Sequence, residues 1–283
     1  MRLGTNLLIG LVALMAGAGA SLAYIPSSYF IVKSWVDLHQ KNKQQNLKVV
    51  SKISVLDQAG AQQDHVPSFK EVMIYYPKTE IIRSWALNDT GQILYHKEFK
   101  QTSRSLPQSL IFVTEIRSLI QALSEFQIPV LNESSVAQFA RDSERLKIDQ
   151  MSLMRFNEKV SWVIAQKNKK KLDSSQTQLW MEKDTFLPLK VVFKGAKNQE
   201  FRQVQFDWDD SSVQKVALYP KLTTLLSEDS KVLLRSKLVE LSKFSEGSEQ
   251  ELIKHREQGF TSDGEAVSAE LKALIKLYYD SIR

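Results

Sequence analysis

The chain has 283 residues, a formal net charge of +6 and no cysteine. The missing thiols exclude disulfides, thiol catalysis, Cys-based metal sites and a lipid anchor on an N-terminal Cys. The charge is mild and interleaved with acids, so nucleic acid is not an expected partner. With 43% of residues hydrophobic, the length is enough for one domain with a sizeable core.

The N-terminus reads as a targeting segment. Arg2 supplies a positive end, Leu7 to Met15 an apolar core, and Ala16 to Ala23 a run of mostly small residues with Ser21 and Ala23 where a signal peptidase reads. As an uncleaved anchor the run is short and lacks a basic flank. A signal peptide over 1–23, cleaved after Ala23, predicts an exported, periplasmic protein. Cleavage removes Arg2 and no acid, which lowers the charge from +6 to +5.

After it, Pro26-Ser27-Ser28 opens a helix with Ile31, Trp35 and Leu38 on one face. From Asn46 the period changes to two, and Leu47, Val49, Ile53 and Val55 mark a half-buried strand. Phe69–Tyr76, Thr79–Leu87 and Gln92–Lys100 continue an antiparallel meander, with Asn88-Asp89-Thr90-Gly91 as a turn. Pro107–Phe126 then fits a helix with Leu110, Val113, Ile116, Ile120 and Leu123 along a broad apolar face, and 134–145 a more polar one. Strands resume at Lys147. Met154 and Phe156, then Val160, Trp162 and Ile164, alternate with polar neighbours; Lys167–Lys171 is a basic hairpin tip, read as solvated. Thr177–Met181, Leu187–Phe193, Val204–Trp208, Val213–Tyr219 and a long run Val232–Phe244 complete the strands. The C-terminus reads as two helices, Ser248–Gln258 and Gly264–Ile282, with Leu271, Leu274, Ile275 and Tyr278 as an apolar stripe.

No motif states a chemistry. The four histidines (His39, His65, His96, His255) lack metal-ligand spacing, and the glycines form no nucleophile elbow or phosphate loop. Asp209-Asp210 sits in a turn. No catalytic residue, metal site or cofactor is expected.

The stretch from Trp162 to Tyr219 carries a family resemblance. A tryptophan-bearing strand, Ser161-Trp162-Val163-Ile164, is followed by Leu179-Trp180-Met181-Glu182-Lys183-Asp184-Thr185-Phe186-Leu187-Pro188-Leu189, by Gln203–Trp208 and by Val216–Pro220. This resembles the LolA/LolB-like family of periplasmic lipid and lipoprotein carriers, the outer-membrane lipoprotein-sorting type. The order of signal peptide, helix, strands, helical insert and strands is also similar; the helices after Glu246 depart from it. The resemblance implies an α+β fold, a strongly curved antiparallel sheet forming an open half-barrel with helices covering its concave face, over 24–245. A C-terminal helical extension over 246–283 completes the chain.

On that fold the inward residues Val49, Ile53, Met73, Tyr75, Met154, Phe156, Trp162, Ile164, Leu179 and Leu189 are candidate lipid-binding residues, with Leu110, Val113, Ile116 and Ile120 on a lid helix. The same residues could instead pack a closed core. The implied role is a non-enzymatic carrier or chaperone for a lipid, or for the acyl chains of lipoproteins, in transport to or maintenance of the outer membrane, with transient membrane contact. The alternative is an envelope sensor or interaction module that binds a protein partner through the C-terminal helices (Leu252, Leu271, Ile275, Tyr278). Catalysis is a distant third.

Overall fold

The structure, a computed structural model, describes residues 26–27, 30–31, 34, 46–55, 67–76, 78–79, 81–100, 151–164, 167–168, 171–172, 178–192, 203–208, 219–227, 229–245, 247, 249–255 and 257–281. The signal segment, the candidate lid helix and its polar successor lie outside them.

The strands are β1 (Leu47–Ser54), β2 (Ser68–Tyr76), β3 (Ile81–Leu87), β4 (Ile93–Lys100), β5 (Met151–Phe156), β6 (Lys159–Ile164), β7 (Lys167–Asn168), β8 (Lys171–Leu172), β9 (Gln178–Glu182), β10 (Pro188–Val192), β11 (Gln203–Asp207), β12 (Leu222–Leu226), β13 (Val232–Lys243) and β14 (Gly259–Phe260). The helices are α1 (Gln250–Lys254), α2 (Ser262–Ala266) and α3 (Ala269–Ser281). Twelve strands form one sheet in the order β14-β4-β3-β2-β1-β13-β12-β11-β10-β9-β6-β5, while β7 and β8 pair separately. Every pairing is antiparallel. Two meanders, β1–β4 and β5–β13, meet where β13 pairs with β1. The terminal strands β14 and β5 do not pair, so the sheet stays open.

A sheet this wide curls. Register shifts at Val50/Ser51, Ala86/Leu87, Pro188/Lys190 and Leu225/Leu226 add local twist and bend. One apolar cluster shows the result, since it contains Leu94 and Phe69 from one arm and Trp162, Leu179, Val191 and Phe206 from the other. All of these point to the same face, which is therefore the inner one.

The turns follow local chemistry. Asn88 Oδ1 accepts from the backbone N–H of Thr90 and Gln92, and Gly91 supplies φ +87°. Asn157 and Glu158 both take left-handed φ, at 47° and 66°, in the two-residue turn between β5 and β6. The Asp184–Pro188 stretch closes β9 onto β10: Phe186 N–H donates to Glu182 O at 3.0 Å, and Glu182 N–H to Leu187 O at 2.8 Å. At the N-terminus the cap is Ser27, whose Oγ accepts from Phe30 N–H at 3.1 Å; Ile31 is buried in the inner cluster.

Three features differ from the sequence reading. β12 was not anticipated: Leu222-Thr223-Thr224-Leu225-Leu226, just after Pro220, was assigned to no element. The first C-terminal helix is only Gln250–Lys254, and the second is split into α2 and α3 after the short β14. Lastly, the segment after Glu246 is not an appendage. It wraps the β4 edge of the sheet. Leu252 and Ile253 of α1 pack with Val50, Val72, Ile74 and Trp85 on the outer face. β14 pairs with β4, and α3 lies on the inner face.

Candidate functional site

Residues that pair directly across an antiparallel ladder share a face. From β1 outward this places Val49, Ile53, Met73, Tyr75, Trp162, Ile164, Leu179 and Leu189 on the inner face, all at most 5% exposed. Met154 and Phe156 pair onto the other side, which corrects the expected inward row, while Phe156 still packs against the inner cluster. Trp162 pairs with Leu153, whereas Met154 pairs with Ser161 and Phe156 with Lys159. The two-residue turn is the reason. Partner numbers across it sum to an odd value, so even residues of β5 share a face with odd residues of β6. Met154 is 41% exposed. Phe156 packs against Trp180 on the outer face, and Lys190 Nζ sits 4.7 Å and 4.1 Å over those two rings. Burial lowers the Lys190 pKa from its ordinary value.

The eight inner residues fall into two clusters. Ile53, Trp162, Ile164, Leu179 and Leu189 belong to one, with Leu274, Ile275, Tyr278 and Tyr279 of α3. Val49, Met73 and Tyr75 belong to a second with Leu47, Ile82 and Tyr219. A buried polar band lies beside their boundary. Ser84 Oγ donates to Glu71 Oε1 at 2.6 Å and lies 2.8 Å from Tyr279 Oη, while Tyr278 Oη donates to Glu71 Oε2 at 2.5 Å. Glu71, Ser84, Tyr278 and Tyr279 are all 0% exposed. Hydrogen bonds to a carboxylate are among the stronger ones, so this band fixes α3 in one position on the sheet. Lys97 adds a bond from Nζ to the Tyr279 carbonyl at 2.9 Å, near the helix C-terminus where a cation is favoured. Tyr95 packs on Tyr279 and Phe260; burial, and then Asp280, raise its phenol pKa.

Sequence reasoning missed Glu71, although a signal existed. It falls at the same parity as Phe69, Met73 and Tyr75, so an alternating strand places this acid inward. Tyr278, which donates to it, was read as part of a stripe for a partner. Leu252, Ile275 and Tyr278 are instead buried within the chain, and Leu271 packs on the inner cluster, so they offer no docking surface.

Among the described residues, two buried donors on the inner face have no hydrogen bond, Trp162 Nε1 and Ser51 Oγ. The other tryptophans of the second arm are satisfied, Trp180 by Gln178 Oε1 at 3.0 Å and Trp208 by Pro188 O at 2.6 Å. Among the described residues no three His, Asp or Glu side chains converge as metal ligands, and no helix is long and apolar enough to cross a membrane.

The chain is similar, at low identity, to several solved structures. The LolA superfamily protein NE2245 from Nitrosomonas europaea matches at 11% identity and TM-score 0.41, covering 78% of this chain and 95% of that one. A putative outer membrane lipoprotein-sorting protein domain from Vibrio parahaemolyticus matches at 10% identity and TM-score 0.38, covering 79% and 97%. The MucA/MucB complex from Pseudomonas aeruginosa matches at 12% identity and TM-score 0.25, covering 77% and 59%. No family model and no curated protein matches the chain. None of these likenesses carries a function over to it.

Proposed function

We propose that this protein is a non-enzymatic carrier or chaperone of the periplasm, which holds an acyl chain of a lipid or lipoprotein between the inner face of its sheet and the helices lying on it. One observation carries the reading. The inner face carries one large apolar cluster drawn from both arms of an open sheet, and its cover over the first arm is a helix, α3, not a second sheet. A helical cover can shift without breaking a ladder of strand hydrogen bonds. An acyl chain inserted there gains about 0.8 kcal/mol per buried methylene, which suffices for useful affinity without a reactive group. Trp162 Nε1 would supply a donor for an ester or amide carbonyl.

The test is native purification from the envelope, extraction and mass spectrometry, with titration of the delipidated protein by a fluorescent fatty-acid analogue. Saturable uptake near one chain per protein is expected, weakened by substituting Leu179 or Leu189 with Asp. No co-purified lipid together with no uptake overturns the proposal.

A second reading, a module that binds a protein partner, is favoured by a different feature than expected. β5 is a terminal strand, and Leu153 and Met154 expose 52% and 41% of their surface there. A terminal strand with exposed apolar side chains suits strand addition by an extended peptide. Capture of one envelope protein that Leu153→Lys abolishes, without lipid uptake, would favour this reading.

A further inference from the structure

The outer face of the second arm holds a cavity of about 350 Å³. That is near the lower end of small-molecule sites, roughly 300–1,000 Å³. Its wall draws on β5, β6 and β10 to β13 and includes Phe156, Leu222, Thr224, Leu226, Gln205 and Arg235. The register confirms the face, because Thr224 pairs with Arg235 on one side and Gln205 on the other, at the parity of Phe156 and opposite to Phe206. Leu189 and Phe206 of the inner cluster also line the cavity, so it lies mainly, not wholly, on the outer face.

Arg235 is the unusual member. Its Nε is buried and has no hydrogen-bond partner, and it forms no ion pair among the described residues. A buried guanidinium N–H without an acceptor costs free energy, and arginines in such places ordinarily hold a carboxylate. The other cation in the wall, Lys159, is already engaged by Glu182 Oε1 at 3.0 Å. The one acid in the wall, Asp207, makes no ion pair with Arg235.

A second observation sets the sign of the ligand. Two residues along β13 from Arg235, Lys237 pairs with Lys52, which pairs in turn with Lys70. Three exposed lysines stand directly opposite one another across adjacent strands on this face. Like charges so placed repel, and the positive potential they produce favours approach of an anion to Arg235.

We propose that this cavity is a binding site for a small amphiphile with one anionic head, carboxylate or phosphate, which Arg235 grips while the short apolar part lies against Phe156, Leu222 and Leu226. The planar guanidinium fork matches both head groups, and Thr224 and Gln205 offer further polar contacts. The head-group contacts, Arg235, Thr224 and Gln205, share the face opposite to the one proposed for acyl binding.

Calorimetric titration of the mature chain with octyl phosphate, octanoate, octan-1-ol and octylamine, below their micellar concentrations, tests it. The two anions are expected to bind saturably, and the alcohol and amine at least about tenfold more weakly. Arg235→Gln removes that preference, Arg235→Lys retains part of it, and Gln205→Trp, which fills the cavity, abolishes binding of both anions. Octan-1-ol binding as tightly as octyl phosphate to the unmodified protein overturns the proposal, as does unchanged affinity in a folded Arg235→Gln variant. Inorganic phosphate and acetate distinguish the sources: either binding as tightly as its octyl counterpart shows a free anion to be the ligand and refutes the amphiphile. Uptake of the long-chain probe on the inner face is expected to survive Arg235→Gln. If that uptake is lost with the anion preference in a folded variant, the two sites are one and the separate site is refuted.

Discussion

Gly264 sits where α2 closely approaches β4. A Cβ there would lie 1.8 Å from the carbonyl oxygen of Leu94, 2.8 Å from its carbon and 3.0 Å from Phe260 Cδ1, where ordinary contact begins near 3.4 Å. The first two are backbone atoms of β4, so no side-chain rotation relieves the overlap. The same Leu94 oxygen accepts from Thr261 N–H at 3.0 Å, and Thr261 caps α2 through its hydroxyl, which accepts from Gly264 N–H at 3.0 Å. Gly264→Ala must therefore push α2 off β4 by more than an ångström and break the Thr261 bond. Overpacking costs about 1–3 kcal/mol and the hydrogen bond about 1; replacing a helical glycine returns about 0.5–1. The net loss is about 1–3.5 kcal/mol, a fall in Tm of about 2–14 °C for a domain of this size. Urea denaturation and thermal circular dichroism measure it, with Gly247→Ala as control, since nothing lies within 4 Å of that position. A Gly264→Ala protein as stable as the parent would refute the close approach of α2 to β4, and with it the path by which α3 reaches the inner face.

Tyr278→Phe deletes one donor to the buried Glu71 carboxylate and is expected to cost about 1.5–3 kcal/mol, read from urea midpoints; a change under about 0.5 kcal/mol would mean the polar band does not hold α3. Glu158→Gly relieves a left-handed backbone at φ 66° in the β5–β6 turn and should stabilise by about 0.5–1 kcal/mol; destabilisation would contradict the two-residue turn. Acid sensitivity follows from His96, which is buried, stacks on Trp85 at 5.1 Å, lies 6.0 Å from His255, and bonds the Glu257 carbonyl through Nδ1 at 3.1 Å. Burial first, and the His255 and Arg83 charges in smaller measure, lower its pKa below the ordinary 6.5 against the raising effect of the Glu257 carbonyl and Glu98. The unfolded chain then binds the proton more readily, so this contribution is complete above pH 6.5 and is lost as the pH falls below it. A stability profile between neutral and mildly acidic pH should slope less in His96→Phe than in the parent.

Much of the sheet was legible because its signals are local. Alternation in Leu47–Ile53 or Val204–Trp208 reports a half-buried strand whatever it pairs with, and Asn88–Gly91 or Asp184–Pro188 names its own turn. The inner row was legible to the same extent and no further. Val49, Met73, Trp162 and Leu179 were placed by parity within their strands, but the parity of one strand relative to the next depends on the turn between them. The Asn157-Glu158 turn contains two residues, so Met154 and Phe156 had to face away from Trp162; that information was present in the chain and lay in the turn length.

What the sequence alone determined was the antiparallel strand content, the direction of most side chains within each strand and the absence of thiol chemistry. What only the tertiary structure decided depends on contacts between residues far apart in the chain. Pairing of β13 with β1 joins the two meanders. The stripe Leu274, Ile275 and Tyr278 looks the same whether it meets a partner or the chain's own sheet; Glu71, more than two hundred residues earlier, decides the matter by bonding Tyr278. Likewise nothing near Arg235 in sequence marks it as unpaired. Its environment is built by strands β5, β6 and β10 to β12, and an unsatisfied buried donor is a property of the packed molecule, not of any segment of it.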